Sequence, residues 1–299
     1  MSLPFVSFIT FNRLGLSARN LQALLKTEDD FELHIIDSNS RDDSWAYIES
    51  LNDSRIKSRT RLPLNRGPIY AVNHNLAKRK PDQYFIALDS DVLLLTPDWI
   101  TKFMRVFDTF PEVGMLGVPR TSPYKEFIPP VIPMEKNGIR YLQLKDGIVG
   151  ASLDFVPGHC QCLRPELINI LGYWSEENYF GDAELSVRIN QYTPYRAGFV
   201  TDISISMEQS IPCADCPVKK LCHLDKIENT CFSIRDTYHK NESFVEKNTW
   251  KYTATFDELK QGKRPVYCAS VHDPESIRNH MYNAEWAEDN FNFYVINAN

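Results

Sequence analysis

Two carboxylates, Asp89 and Asp91, stand at the end of an apolar run in the segment QYFIALDSDVLLL, residues 83–95. Holding a carboxylate at the end of a buried strand costs free energy unless a partner stabilises its charge. Taken alone, an Asp-Ser-Asp triplet is also typical of the turn that follows a strand. The pair therefore raises the question of which partner these charges have in the folded protein.

Four cysteines form a second group of potential ligands, with the spacing C-x2-C-x5-C-x8-C at Cys213, Cys216, Cys222 and Cys231. Four thiolates in a short polar stretch suit a tetrahedral Zn²⁺ that folds the loop around itself. An iron–sulfur cluster is the alternative because C-x2-C-x5-C is also a ligand spacing of cluster domains. Reduced cysteines without a ligand are the third interpretation. We expect a structural zinc site here.

Alternating strand and helix patterns must position the acids. The runs PFVSFITF, FELHIID and QYFIALD are typical of buried strands, and amphipathic helical patterns separate them, with Ser17 as a candidate cap of the first helix. This alternation predicts an α/β sheet with parallel strands. Asn12, Asp37 and Asp89 fall where strands end, so the pattern predicts one cleft at that edge of the sheet.

Composition narrows the class of protein. The chain has 299 residues and a formal net charge of −6, which argues mildly against a dedicated binder of nucleic acid or anionic membrane. The apolar runs are too short and too acidic to span a membrane, and the first residues lack the features of a signal peptide. We therefore expect a cytoplasmic protein.

The pattern divides the chain into three parts. Residues 1–207 read as one catalytic domain, with a hairpin excursion around an Asn137-Gly138 turn. Residues 208–240 read as a Cys-rich metal-binding insertion. Residues 241–299, rich in aromatic side chains, read as a helical and irregular C-terminal extension that packs on the catalytic domain.

Five motifs in order resemble the family-two glycosyltransferases over roughly residues 4–205. They read VSFITFNR, IIDSNSRDDS, NRGPIYAVNHNLA, LDSDVLL and GYWSEENYFGDAELSVRI. The resemblance implies a GT-A (nucleotide-diphospho-sugar transferase) fold with a mostly parallel central sheet flanked by helices. Two positions depart from the family pattern: Gly181 stands where Glu is usual, and Glu184 stands where Asp is usual.

The resemblance implies a nucleotide-sugar donor, with UDP as the expected carrier. Asp37 would accept a hydrogen bond from the uracil ring, and Thr10 and Asn12 would line the same base pocket. Arg66, in the third motif, would be a further donor contact. A carboxylate beside a ring N–H discriminates well, because the wrong base leaves it unpaired.

A divalent cation, Mn²⁺ or Mg²⁺, is implied together with the donor, since such ions are held by one or two carboxylates while phosphates and water complete the shell. Asp91 would be the direct ligand, and Asp89 would contact the ribose or reach the metal through water. The family often adds a downstream histidine, for which His239 and His272 are candidates.

Asp182 occupies the position of the family's general base. It would take the proton from an acceptor hydroxyl as that oxygen attacks the anomeric carbon, which implies inversion there. Glu184 is the fallback base, although pairing with Arg188 four residues on is its more frequent role. The acceptor is expected to be a saccharide, near Trp174 and Phe180, and a modified DNA base is less favoured.

Two other classes of function compete with a glycosyltransferase. A nucleotidyltransferase would also need a nucleotide cleft and acid-held metals, but it should carry a Gly-rich basic phosphate loop after the first strand, and FITFNRLGLSARN has none. A catalytically inactive binding module would use the fold and the Cys-rich segment to recruit a partner, including nucleic acid. Retention of Asp89, Asp91 and Asp182 together speaks against an inactive site.

Overall fold

A computed structural model describes residues 2–119, 129–145, 155–207, 237 and 240–298. The strands are β1 (Phe5–Thr10), β2 (Glu32–Asp37), β3 (Ile56–Arg61), β4 (Phe85–Asp89), β5 (Val92–Leu94), β6 (Val113–Gly117), β7 (Val131–Lys136), β8 (Ile139–Leu144), β9 (Cys160–Leu163), β10 (Arg196–Phe199) and β11 (Ile205–Met207). The helices are α1 (Leu14–Leu25), α2 (Ser44–Ser50), α3 (Pro68–Leu76), α4 (Trp99–Thr109), α5 (Pro165–Leu171), α6 (Gly181–Tyr192), α7 (Glu242–Lys260), α8 (Pro274–Asn279) and α9 (Ala284–Ala298).

A nine-stranded sheet in the order β3-β2-β1-β4-β9-β6-β10-β8-β7 forms the centre of the fold. The pairs among β3, β2, β1 and β4 are parallel, as the alternating pattern predicts. The prediction of a mostly parallel sheet is wrong beyond β4, because β9 runs antiparallel between β4 and β6 and β8 runs antiparallel to its neighbours. The sheet is mixed.

Register at the centre of the sheet brings the predicted cleft residues together. Within the parallel ladder, Thr10 pairs with Asp37 and Ile9 pairs with Asp89. Parallel strands place their carboxyl ends at one edge, so these side chains lie on neighbouring strand tips. The buried runs of β1 and β4 fix that register, since sliding either strand by one residue would turn apolar side chains to the opposite face.

The turn between β1 and α1 has an unusual backbone. Asn12 and Arg13 both adopt left-handed conformations, with φ of 56° and 61°, which cost free energy in non-glycine residues and often occur at functional sites. The helix begins at Leu14, so the prediction of Ser17 as its cap is wrong. Ser17 lies inside α1, where its hydroxyl is 2.9 Å from that of Thr10 and ties the helix to the tip of β1.

The hairpin prediction is confirmed. Strands β7 and β8 are joined by Asn137 and Gly138, both with positive φ, as a tight two-residue turn requires. In contrast, the segment GFVTDISISM, residues 198–207, is not one strand. Its first part belongs to β10 in the large sheet, and its last part forms β11, which pairs with β5 in a separate two-stranded sheet.

Hydrogen bonds join the C-terminal helices to the loop between α5 and α6. Glu176 accepts hydrogen bonds from Ser270 and Tyr282, and the side chain of Asn290 on α9 donates to the backbone of this loop. These contacts hold α9 against the sheet edge that carries the acids. None of the helices in the described part of the chain is long and apolar enough to cross a membrane.

Candidate active site

Two adjoining cavities open at the carboxyl edge of the sheet. The smaller, of about 250 Å³, is lined by Asp91 and is called the Asp91 chamber; the larger, of about 390 Å³, is lined by Asp182 and is called the Asp182 chamber. The residues that line both are Ile9, Pro68, Asp89, Tyr179 and Tyr294. The carboxylate of Asp89 therefore lies where the two chambers meet.

The acidic pair of the opening motif sits at the end of β4. The backbone N–H of Asp89 donates to the carbonyl oxygen of His159, which fixes the strand tip, and Asp91 precedes β5. Burial, and then the negative charges of Asp91 and Asp182, raise the pKa of Asp89 well above its usual range. A guanidinium nitrogen of Arg13 lies 3.7 Å from a carboxylate oxygen of Asp91.

This donor set fits a hard divalent cation. The two carboxylates of Asp89 and Asp91 are oxygen ligands. Burial and then the charge of Asp91 raise the pKa of Asp89, and a positive charge between the two carboxylates would offset both effects. Among the described residues, no three His, Cys, Asp or Glu side chains form a group that could hold a metal ion. Such a site would draw its remaining ligands from phosphate oxygens and water.

Asp182 lies in the first turn of α6, and its partly exposed side chain lines the Asp182 chamber. Its Oδ2 accepts a hydrogen bond from the backbone N–H of Gly158 at 3.1 Å, and its Oδ1 accepts one from Ala183 at 2.9 Å. Burial raises the pKa of Asp182 above its usual value. The carboxylate is thus held in one orientation and is a stronger base than a solvated aspartate.

Glu184 does not line either chamber. It forms a buried ion pair with Arg188, with 2.8 Å between Oε1 and Nε, and it also accepts a hydrogen bond from Asn178. The departure at Gly181 has a steric reason, because a Cβ there would lie 2.7 Å from a side-chain carbon of Ile69. A glutamate in that position would require the side chain of Ile69 to shift.

The expected base-pocket residues take different positions. Thr10 lines the Asp91 chamber, whereas Asn12 and Asp37 are not among the described residues that do. The side-chain oxygen of Asn12 accepts a hydrogen bond from the Arg41 backbone, and Asp37 Oδ1 accepts one from that of Ser40. The Oδ2 atom of Asp37 is buried and has no hydrogen-bond partner among the described residues. Burial raises the pKa of Asp37.

Arg66 lines the Asp182 chamber rather than the Asp91 chamber. Its guanidinium lies 3.5 Å from the carboxylate of Glu288 on α9 and 5.5 Å from the ring centre of Tyr70. His272 is not among the described residues that line the two chambers. Its Nε2 lies 2.9 Å from the carbonyl oxygen of Tyr70. Burial lowers the pKa of His272 to about 4.

The other predicted metal ligands lie outside the described residues. They are His239 and the four cysteines Cys213, Cys216, Cys222 and Cys231. The three described cysteines are buried, and they form no disulfide with one another. The prediction of a Cys-rich metal site therefore stays a prediction from spacing.

Several residues that line the chambers are not distinguished by any motif in the sequence. Asn290, Phe293 and Tyr294 on α9 reach the cleft from the far end of the chain, and Tyr294 packs on Gly67, where a Cβ would meet its ring carbons at 2.5 Å. Gln161 on β9 lines the Asp182 chamber from the sheet. Of the aromatic residues expected near the acceptor, Trp174 lines this chamber, whereas Phe180 packs edge-on against Tyr252 of α7.

Solved structures share this architecture at low sequence identity. The mannosyltransferase PcManGT from Pyrobaculum calidifontis, in complex with GDP-Man and Mn²⁺, aligns with a TM-score of 0.55 and 15% identity over 89% of this chain and 78% of that one. TarS 1–349 of S. aureus aligns with a TM-score of 0.52 and 14% identity over 98% of this chain and 89% of that one. The structure of TarS 1–349 in complex with UDP aligns with a TM-score of 0.51 and 17% identity, over 68% of this chain and 59% of that one. These likenesses show a GT-A fold.

A family model described as glycosyl transferase family 2 matches residues 6–171. The match includes β1, β2, β4 and the Asp89/Asp91 pair, and it ends before Asp182. It covers more than half of the 299 residues. With the fold, this match shows that the chain belongs to glycosyl transferase family 2.

Proposed function

We propose that this protein transfers a sugar from a UDP-sugar to an acceptor hydroxyl, with inversion at the anomeric carbon and dependence on a divalent cation. The observation that carries the proposal is the position of Asp89 between the two chambers, with Asp91 in one and Asp182 in the other. A nucleotide diphosphate in the Asp91 chamber would present its sugar to the Asp182 chamber. A protein that only binds a partner would not require Asp91, Asp89 and Asp182 to be aligned along the two chambers.

The choice of UDP is supported by Asp37. Its buried Oδ2, which lacks a hydrogen-bond partner among the described residues, would accept a hydrogen bond from the N–H of a uracil ring. Burying that acceptor unpaired costs about 1–3 kcal/mol, which a base with an N–H at this position would recover. Because Asp37 lies beneath the lining of the Asp91 chamber, the loop of Ser38 to Ser40 would have to adjust as the base enters.

Asp91 and Asp89 would hold the divalent cation, which when bound neutralises the charge that develops on the departing diphosphate. Arg13 lines the same chamber as Asp91 and would exchange its contact with that carboxylate for one with a diphosphate oxygen. Its guanidinium would then orient the donor by hydrogen bonding. The solved PcManGT structure, with GDP-Man and Mn²⁺ bound in a similar fold, is consistent with such a site.

Asp182 would act as the general base. The hydrogen bonds from Gly158 and Ala183 hold its carboxylate at the wall of the chamber, and its raised pKa favours taking a proton from an incoming hydroxyl. The O–H bond of the acceptor breaks as the new bond to the anomeric carbon forms, and the bond to the diphosphate breaks on the opposite side. Attack opposite the leaving group inverts that carbon.

A donor screen tests the reaction class. The protein is incubated with Mn²⁺ and a panel of UDP- and GDP-sugars, and release of the nucleoside diphosphate is measured. We expect release of UDP from one UDP-sugar, and loss of at least 100-fold of that rate in Asp91→Ala, because the cation loses its direct ligand. Release of a sugar 1-phosphate, the leaving group when the nucleoside monophosphate is transferred, would instead indicate a nucleotidyltransferase, and failure to bind any nucleotide would indicate an inactive binding module.

We propose the three-part division of the chain, with residues 1–207 as the catalytic domain, 208–240 as a zinc-binding insertion and 241–299 as an extension packed on the first part. Support for zinc comes from the spacing of the four cysteines alone. Metal analysis of the purified protein should find about one zinc per chain. Iron with visible absorption would favour an iron–sulfur cluster. A protein that contains neither zinc nor iron would contradict the proposal of a metal site.

A further inference from the structure

Two buried carboxamides line the Asp182 chamber, and each has an oxygen that lacks a hydrogen-bond partner among the described residues. Gln161 on β9 is fully buried and Asn290 on α9 nearly so, and both line this chamber. The Oε1 atom of Gln161 and the Oδ1 atom of Asn290 are the two unpaired atoms. Burying an acceptor oxygen without a donor is unfavourable, so two in one cavity point to a ligand that supplies donors.

The nitrogen atoms fix how both amides are oriented. Gln161 Nε2 donates to the carbonyl oxygen of Val156 at 2.6 Å, and Asn290 Nδ2 donates to those of Glu176 and Asn178 at 3.2 and 3.1 Å. Flipping either amide would set its oxygen against a carbonyl oxygen, which cannot donate. Each side chain therefore offers an acceptor, and not a donor, to whatever binds.

The sheet makes room on one side of Gln161. Its partner on β4 is Ala87, whose small side chain lines the same chamber, whereas the space beside its partner Gly117 on β6 is filled by Val156. Asp89 lies two residues beyond Ala87 on the same face of β4, which is about 7 Å along the strand. That separation is close to the width of one sugar ring, so a ring linked to a diphosphate at Asp89 would extend toward Gln161.

The chamber also has an apolar side, formed by Trp174, Ile69 and Val72. A sugar ring combines hydroxyl groups, which donate hydrogen bonds, with C–H faces that pack on such a surface. Arg66 also lines the chamber, but its guanidinium lies 3.5 Å from the carboxylate of Glu288, so a carboxylate-bearing sugar would have to displace that pair while placing a third acceptor group beside two acceptor oxygens. The chemistry of the chamber therefore matches a neutral sugar.

We propose that Gln161 and Asn290 select the transferred sugar by accepting hydrogen bonds from two of its hydroxyl groups. The inference rests on the proposed function and adds the class of donor, a UDP-linked neutral hexose. Gln161 lies within the segment that matches the family model, whereas Asn290 lies beyond it, on the last helix. Specificity would thus come partly from the C-terminal extension.

The test compares the affinities of UDP and of UDP-sugars by calorimetry in Mn²⁺, using Gln161→Met and Asn290→Leu, which remove the oxygen with little change of volume. The probes are UDP, UDP-glucose, UDP-galactose, UDP-N-acetylglucosamine and UDP-glucuronate. We expect each variant to bind the preferred neutral UDP-sugar about tenfold more weakly, with UDP unchanged within twofold. UDP-glucuronate should bind the wild type more weakly than the preferred sugar does.

A matched control is Asn75→Leu. Asn75 on α3 is also buried, its Nδ2 donates to Ser7 Oγ and the His34 carbonyl oxygen, and its Oδ1 has no partner among the described residues. It is not a described lining residue of either chamber. We expect Asn75→Leu to leave the ratio of UDP-sugar to UDP affinity unchanged.

Deoxy analogues of the preferred UDP-sugar identify the contact. Removing the hydroxyl that Gln161 accepts from should weaken binding about tenfold in the wild type and have no further effect in Gln161→Met. The inference is overturned if both variants bind the sugar as the wild type does, or if they lose UDP in the same proportion. Failure of the wild type to bind any UDP-sugar would instead remove the proposed function, and this inference with it.

Discussion

Two groups of acidic residues lie within one region of the molecule and differ in how many partners they have. The cleft acids are Asp89, Asp91 and Asp182, and the anchor acids are Glu176, Glu177 and Glu184. The cleft acids line the chambers, and the pKa of Asp89 is raised by burial and by its two acidic neighbours. The anchor acids are buried, and none of them is among the described residues that line the two chambers.

The anchor acids have their hydrogen-bonding capacity filled by the protein. Glu176 accepts hydrogen bonds from Asn73, Ser270, Tyr282 and the backbone of Val271, at 2.6 to 3.0 Å. Glu177 pairs with Arg264 at 2.7 Å and accepts from the Asn283 backbone, and Glu184 pairs with Arg188. These contacts hold the C-terminal helices and α6 in place.

The comparison shows that burial alone does not distinguish the proposed general base from the anchor acids. Glu184 is more buried than Asp182 and lies two residues away on the same helix, yet its charge is already matched by Arg188. Asp182 has two backbone N–H partners and no described cation within an ion-pair distance. A carboxylate that the fold orients but leaves without a counter-charge is available for proton transfer.

The largest expected effect is on transfer in Asp182→Asn. The amide keeps the shape of the side chain but cannot accept the proton, so we expect the turnover of the preferred donor with its acceptor to fall by about 10³-fold. Calorimetry should give an unchanged affinity for UDP. Turnover within threefold of the wild type would exclude Asp182 as the base.

Glu184→Gln tests the structural role of an anchor acid, and we expect it to lower the stability of the protein. Removing this charge leaves Arg188 buried without its partner, which we expect to lower the free energy of unfolding by about 3–5 kcal/mol. Chemical denaturation measures the loss. The control is Glu135→Gln, which breaks an exposed pair with Arg140 and should change stability by less than about 0.5 kcal/mol. Equal small losses in the two variants would contradict the anchoring role.

The smallest expected effect is on the free energy of unfolding of Asp89→Asn, which we expect to be higher than that of the wild type. The pKa of Asp89 is raised in the folded protein, so its charge lowers stability once the pH exceeds the unfolded value near 3.9. Below that pH both states are protonated and no penalty exists; the penalty grows as the pH rises toward the folded pKa. We expect the variant to gain about 1 kcal/mol at pH 7 with chelator present, and less at pH 4.

Denaturation curves at both pH values measure this gain. A loss of stability in Asp89→Asn at pH 7 would place Asp89 among the anchor acids. Activity should fall in the same variant, because the carboxylate that stabilises the folded state least is the one proposed to meet the donor and its cation.

The sheet-edge part of the site could be predicted from sequence because local patterns determine it. Each of Thr10, Asp37 and Asp89 ends an apolar run, and parallel pairing of those runs brings the three tips to one edge. The reversed direction of β9 could not be predicted in this way, since the short run CQCL gives no information about the strand beside which it inserts. The expectation of a mostly parallel sheet failed for that reason.

The same limit applies to the inner wall of the cleft. Gln161 becomes a candidate only when its cross-strand neighbours are known to be Ala87 and Gly117, and Asn290 only when α9 is known to lie over the chamber. Both depend on contacts between distant parts of the chain. The helix cap expected at Ser17 failed on a smaller scale, because the left-handed turn at Asn12 and Arg13 starts α1 earlier.

The position of α9 has a consequence for how such enzymes diversify. The proposed reacting groups come from the strand tips and from α6, whereas part of the proposed sugar-selecting surface comes from a helix downstream of the segment that matches the family model. Substitutions or exchanges in that last helix can therefore alter donor preference while the catalytic acids stay the same. Relatives with identical motifs can then be expected to use different nucleotide sugars, and chimeras that swap this helix would reveal it.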